Sequence, residues 1–312
     1  MSVAARHPLF DGYAMTRRQA LIAIHIGALM FGLSGVFGKL AESAPLFITF
    51  ARALFAVLAL ASAAALIDIR SEAISWKRGA GLVAGGLLLG GHWLTFFIAV
   101  KTAGVGIATL GFASFPAFTI LLEGVLFRER TRPVEFALVG LVCVGLVLVA
   151  PTPSLQSEAT LGLLYGVLSG LLFAMLALLN RAVTRGINPI RAALWQNLAI
   201  VLVLLPWNWQ GIGEVPAMDW LWLAMLGVLC TGLAHSFFVA SLRVLNARTT
   251  SVIFALEPVY GIAFAWWLFA ERPGGAMLFG GAMIILASVI ASRLKEPDAR
   301  PVPGRPPVAQ EP

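Results

Sequence analysis

Leu126-Phe127-Arg128-Glu129-Arg130 and Leu268-Phe269-Ala270-Glu271-Arg272 each close a long apolar segment, and their glutamates lie 142 positions apart. The same offset superimposes Pro116 on Pro258, Phe112 on Phe254, Phe96 on Phe238, Lys101 on Arg243 and Lys39 on Arg181. A self-match that runs along the whole chain marks an internal duplication, which constrains the architecture before any single motif does. If each copy holds an odd number of membrane spans, the second sits upside down relative to the first. Many secondary transporters are built in this way.

The 312 residues are 59% hydrophobic and only 12% charged, with a mean hydropathy of +0.89. Soluble domains carry roughly 25% charged residues, so this composition excludes a water-soluble fold of the same length. The net charge of +7 does not indicate a nucleic-acid partner. The basic residues fall singly or in threes between apolar segments, without a basic patch interleaved with aromatics. Cys143 and Cys230 stand alone inside apolar segments and read as small packing residues, not as a disulfide or a metal pair. No metal or other cofactor is expected.

A helix needs about 20 apolar residues to cross the hydrocarbon core. Ten segments qualify: 19–38, 45–67, 79–100, 104–126, 134–150, 159–180, 188–206, 218–241, 247–269 and 274–292. The longest connection, 207–217, carries Trp207 and Trp209 and is followed by Trp220 and Trp222, and these indoles fit an aromatic belt at headgroup level. Residues 1–18 form a polar cytoplasmic tail, and the run that follows reads as an uncleaved first span. Residues 293–312 form a proline-rich cytoplasmic tail that is expected to be disordered.

With the N-terminus in the cytoplasm, 18 of the 22 Lys and Arg residues lie inside. Only Lys39, Lys101 and Arg272 lie outside, and Arg52 falls within a span. The positive-inside rule therefore sets both termini in the cytoplasm. Residues 19–150 hold five spans starting inside, and residues 159–292 hold five starting outside. Five is odd, so the halves are antiparallel. Glu129 and Glu271 then lie at opposite faces, where ion pairs with Arg130 and Arg272 would anchor helix ends. Gly81/Gly85, Gly86/Gly90 and Gly162/Gly166/Gly170 have the spacing that lets helix backbones approach closely.

The two Leu-Phe-x-Glu-Arg segments, Pro116 and Pro258, the stretch Ala255-Leu256-Glu257-Pro258, and Lys39 with Arg52 in the first helix pair carry a resemblance. The chain resembles the ten-helix drug/metabolite transporter superfamily, of the EamA-like type, over residues 19–292. The resemblance implies an all-α integral membrane protein of two inverted five-helix repeats around a central cavity. Spans one to four and six to nine would line that cavity, with five and ten at the periphery. It also implies export or facilitated movement of small metabolites, often amino acids, by alternating access. One position departs from the repeat: Leu194 stands where the first copy has Arg52.

Ionisable groups inside spans are costly, and this makes them candidates for function. Glu257 sits near the middle of the ninth span beside Pro258, placed to bind an amine or carry a proton; the competing reading pairs it with a neighbouring hydroxyl or amide. Arg52 either orients a substrate carboxylate or pairs with Glu42 at the outer rim. Glu123 is placed to pair with the Arg128–Arg130 cluster. His92 and His235 occupy near-equivalent places in the third and eighth spans, each followed by aromatics, whereas His25 has no such counterpart. A histidine there titrates near neutral pH or hydrogen-bonds substrate, or else serves helix packing. Trp93, Phe96, Phe112, Phe115, Trp195, Gln196, Asn197 and Tyr260 complete the candidate cavity lining, and suit a zwitterion with an apolar side chain.

The expected function is therefore secondary transport of small metabolites, with amino acids (aromatic or other apolar ones among them) as the first substrate class. The expected site is the cytoplasmic (inner) membrane of the cell. The alternatives are a cationic drug or nucleotide-sugar cargo on the same fold, or a membrane-embedded lipid-modifying enzyme. The spans hold no DxxD, HExxH or GxSxG arrangement and no P-loop, which speaks against an enzyme or an ATPase. The expected partners are a small-molecule substrate and the lipid bilayer, with the protein acting as a monomer.

Overall fold

The computed structural model describes residues 16–66, 74–126, 132–149, 154, 156–184, 187–241, 244–245, 253 and 256–293. Among these residues the secondary structure is helical. The helices are α1 (Arg17–Leu40), α2 (Pro45–Leu66), α3 (Trp76–Phe112), α4 (Phe115–Leu126), α5 (Pro133–Val149), α6 (Glu158–Val183) and α7 (Pro189–Asn208). After a short 3-10 turn come α8 (Ala217–Gly227), a π-helical turn (Val228–Leu233), α9 (Ala234–Ser241), α10 (Glu257–Phe269) and α11 (Gly275–Arg293). Five of these helices (α1, α2, α3, α6 and α7) are long and apolar enough to cross a membrane. The segments Phe115–Leu126, Pro133–Val149, Ala217–Leu233 and Gly275–Ala291 are shorter and apolar. Among the described residues the fold is all-α and predominantly apolar.

Three expected spans are interrupted. The third and fourth merge into α3, which holds 37 residues. A straight helix of that length would run roughly 55 Å, but Gly104 (φ 85°, ψ 170°) reverses the chain. That conformation is essentially restricted to glycine. The reversal brings the His92 and Phe112 rings to 5.0 Å between centroids. The fourth span breaks again at residues 113–114 before α4. The eighth span is α8, the π-helical turn and α9 in series. In the ninth, continuous helix begins at Glu257, where Pro258 fits the first turn because no intrahelical N–H is needed there.

The glycine series acts in packing. A Cβ on Gly111 would meet the Gly166 Cα at 3.0 Å, and one on Gly166 would meet the Ala108 carbonyl oxygen at 2.9 Å. α3 and α6 therefore touch backbone to backbone. The main core, with Phe47, Phe50, Phe97, Val100, Leu223 and Leu226, lies toward the α1–α2 connection. Trp220 and Trp222 pack against this region: Trp220 sits edge-on to Phe47 and Phe55, and Trp222 stacks on Phe37. Trp207 and Trp209 are exposed. The cysteines form no disulfide; Cys143 is exposed and Cys230 buried.

The residues around the α1–α2 connection, at what we term the far end, are tied down by three other elements. Lys39 pairs with Glu271, just beyond α10, and its ammonium lies 4.7 Å from the Phe269 ring centre. Lys101 of α3 donates to the Ala41 carbonyl. Asp219 of α8 accepts from the backbone N–H groups of Glu42 (2.9 Å) and Ser43 (2.7 Å). The Glu271 carboxylate also accepts from the N–H groups of Val105 (3.3 Å) and Gly106 (3.4 Å), just past the Gly104 reversal. Glu271 thus engages Lys39 in place of the expected Arg272. The matching segment 127–131, with the expected Glu129–Arg130 pair, lies outside the described residues. At the near end, where α1 begins, Glu123 pairs with Arg181 at 2.8 Å.

Candidate functional site

A cavity of about 620 Å³ occupies the middle of the helix bundle and continues toward the near end. Its mid-depth lining includes Phe31, Ser34, Arg52, His92, Trp93, Phe96, Phe112, Phe115, Phe173, Thr231 and Glu257. Toward the near end follow Thr119, Ile120 and Glu123 of α4, Asn180 of α6, Gln196 and Asn197 of α7, and Ser288 and Ala291 of α11. Lining positions 115, 116, 119, 120 and 123 fall three or four apart, so α4 presents one face to the cavity. α11 contributes Ile285, Ser288 and Ala291, which corrects the expectation that the tenth span is purely peripheral.

Six pairs of lining residues are related by the 142-residue offset: Phe31/Phe173, Ser34/Leu176, Leu89/Thr231, Trp93/His235, Phe115/Glu257 and Pro116/Pro258. Both copies face the same space, so the cavity straddles the relation between the halves. Two pairs are conserved in kind. In the other four, one copy is apolar or aromatic where the other is polar or ionisable.

Arg52 is 4% exposed. Its Nε donates to Thr231 Oγ1 at 2.9 Å, and its guanidinium carbon lies 4.2 Å from the Trp93 ring centre. It does not pair with Glu42. Glu257 stands in the first turn of α10, where the helix dipole favours a carboxylate. It makes no hydrogen bond or ion pair among the described residues. His92 is buried, with Nδ1 2.7 Å from Ser169 Oγ, and that hydroxyl lies 3.0 Å from the His92 carbonyl oxygen. The Phe112 and Phe173 rings lie 5.0 Å from the His92 ring, and Phe115 stacks on Phe112 at 5.3 Å. This aromatic wall is continued by Phe96. Gln196 Nε2 donates to Asn180 Oδ1 at 2.7 Å, and Asn197 Nδ2 donates to the Ala193 carbonyl at 2.8 Å.

Of the twelve residues singled out in the sequence, ten line the cavity: Arg52, His92, Trp93, Phe96, Phe112, Phe115, Gln196, Asn197, His235 and Glu257. Two do not. Trp195 is 44% exposed on the outside of α7, and Tyr260 directs its hydroxyl to His25 Nδ1 at 3.1 Å. Thr231 and Phe173 were missed. The offset carried a signal for both, because Phe173 is the copy of Phe31 and Thr231 replaces Leu89. Among the described residues no cluster of His, Cys, Asp and Glu is arranged to hold a metal.

The EamA-like transporter family model matches twice, over residues 18–150 and 160–293, and the two matches begin 142 positions apart. The chain belongs to the EamA-like transporter family. It is similar to an uncharacterized transporter, YxxF, of Bacillus subtilis (24% identity, 86% of this chain and 89% of the relative). An uncharacterized transporter of Archaeoglobus fulgidus is 27% identical over 87% of this chain and 95% of its own length. The threonine/homoserine exporter RhtA of Salmonella typhimurium is 29% identical over 65% of this chain and 68% of its own. A solved crystal structure shares the fold at a TM-score of 0.59 and 20% identity, covering 88% of this chain and 98% of that one. This EamA-like protein is thus a multi-pass membrane transporter.

Proposed function

We propose that this transporter exports amino acids from the cytoplasm across the inner membrane by alternating access, with both termini cytoplasmic. The reading rests on one observation: Arg52 and Glu257, of opposite charge, line one cavity without pairing with each other. A zwitterion satisfies both, its carboxylate at Arg52 and its ammonium at Glu257, while the Phe96–Phe112–Phe115–Phe173 wall receives an apolar side chain. A volume of about 620 Å³ accommodates a single amino acid. The RhtA relative is named for the export of two amino acids, which favours the same class.

The cavity extends toward the near end, which the charge count assigns to the cytoplasm. The Lys39–Glu271 clasp and the Asp219 hydrogen bonds hold the far end. Release to the outside requires that clasp to part. A nucleotide-sugar cargo fits less well, because Lys39 and Lys101 line a separate far-end cavity, and among the described residues the lining of the central cavity carries Arg52 as its Lys or Arg.

Counterflow in proteoliposomes, with each of the twenty amino acids, tests the reading. Saturable flux of at least one is expected. Flux restricted to organic cations, or absent for all twenty, overturns it.

A further inference from the structure

Two other spans converge on the Arg52 guanidinium. Nε donates to Thr231 Oγ1 at 2.9 Å and Nη2 to the Cys230 carbonyl at 3.4 Å, while the Trp93 indole lies under its flat face. Thr231 is itself held, since its hydroxyl donates to the Leu226 carbonyl five residues back at 3.0 Å. That reach accompanies the π-helical pitch of Val228–Leu233, a local distortion that occurs frequently at functional sites. A hydroxyl has one proton. With that proton on Leu226, Thr231 turns a lone pair to Arg52 and orients it without neutralising it.

None of these partners carries a negative charge, and Arg52 forms no ion pair among the described residues. A buried, oriented guanidinium whose hydrogen-bond and stacking partners among the described residues are all neutral is matched by a planar anion, because its fork fits a carboxylate with two parallel hydrogen bonds. The duplication supports a dedicated device. The offset copies of Arg52, Thr231 and Trp93 are Leu194, Leu89 and His235, so none of the three is repeated. Leu89 and His235 still line the cavity, which therefore holds this arrangement on one side only.

We infer that Thr231, presented by the π-helical turn, is a positioning residue that makes Arg52 a receptor for the carboxylate of the cargo. This inference rests on the transport reading above and adds that the cargo must bear a free carboxylate.

The test compares wild type with Thr231→Val and Thr231→Ser in proteoliposomes, using a transported amino acid and its carboxamide as competitor. Thr231→Val is expected to raise KM about tenfold, equivalent to one lost hydrogen bond to a charged group, with Vmax within twofold. It should reduce the preference for acid over amide by the same factor, and Thr231→Ser should restore both. An unchanged acid-to-amide preference in Thr231→Val overturns the assignment, as does an equal loss for acid and amide. A second measurement separates this outcome from failure of the transport reading. Thermal stabilisation of purified protein by 3-phenylpropionate, but not by its amide, should be present in wild type and lost in Thr231→Val. If no amino acid is carried while that stabilisation holds, the cargo reading falls and the receptor stands. If 3-phenylpropionate stabilises neither protein, the receptor falls.

Discussion

Lys39, at the last turn of α1, is ion-paired to Glu271, which also caps the backbone N–H groups of Val105 and Gly106. One carboxylate thereby joins α1, the α3 reversal and the end of α10. This gives the repeated Leu-Phe-x-Glu-Arg motif a physical role at its second occurrence: its glutamate is a clasp between helices, and its arginine is exposed.

Cutting the clasp should loosen the far end. In a background with Cys143 and Cys230 replaced by alanine, Glu271→Gln should speed maleimide labelling of a cysteine placed at buried Val105 by about tenfold. That corresponds to roughly 1.4 kcal/mol, just above the range for a partly exposed ion pair because the backbone caps are weakened too. Equal labelling rates would remove Glu271 from the closure of this end.

Gly104 adopts a conformation that side chains disfavour, and a Cβ there would sit 2.9 Å from Glu271 Oε1. Gly104→Ala should cost about 1–3 kcal/mol, read as a fall of the unfolding temperature in detergent. A melting point equal to wild type would mean that the reversal tolerates a side chain.

Glu257→Gln removes a carboxylate that makes no hydrogen bond or ion pair among the described residues. Folded yield and melting temperature should hold or rise, since an unpaired buried charge is costly. Amino-acid flux should drop at least about tenfold, the worth of one charge-assisted hydrogen bond. Wild-type flux would detach Glu257 from substrate binding.

Two tryptophans separate the cavity from the outer surface. Trp93→Ala should raise KM by up to about 30-fold, because the Arg52 guanidinium loses its stacking face, worth about 2 kcal/mol when desolvated. Trp195→Ala, outside the cavity, should leave KM within twofold. The reverse ranking would contradict the placement of both.

Periodicity and charge made the helical membrane fold legible, and the 142-residue offset gave the two halves. The interruptions were harder to see. Gly104, residues 113–114 and the π-helical turn sit inside continuous apolar runs, where hydropathy stays high whether the backbone is straight or broken. Most of the cavity was legible because polar and aromatic groups are conspicuous among aliphatic ones. Trp195 was misplaced because an indole suits lipid and cavity alike, and only the rotation of α7 decides which it meets. Thr231 escaped notice because a lone threonine in a span usually bonds its own helix. Its significance appears only with Arg52 beside it.

The six offset-related pairs around the cavity have a consequence for directionality. Two identical inverted halves would make the inward-open and outward-open forms isoenergetic, like a revolving door without a preferred sense. Each pair in which an apolar or aromatic side chain faces a polar or ionisable one lifts that degeneracy. Under the alternating-access reading proposed above, these four pairs contribute to the free-energy difference between the two forms. Exchanging residues within those pairs should tilt the resting equilibrium while leaving the bundle intact.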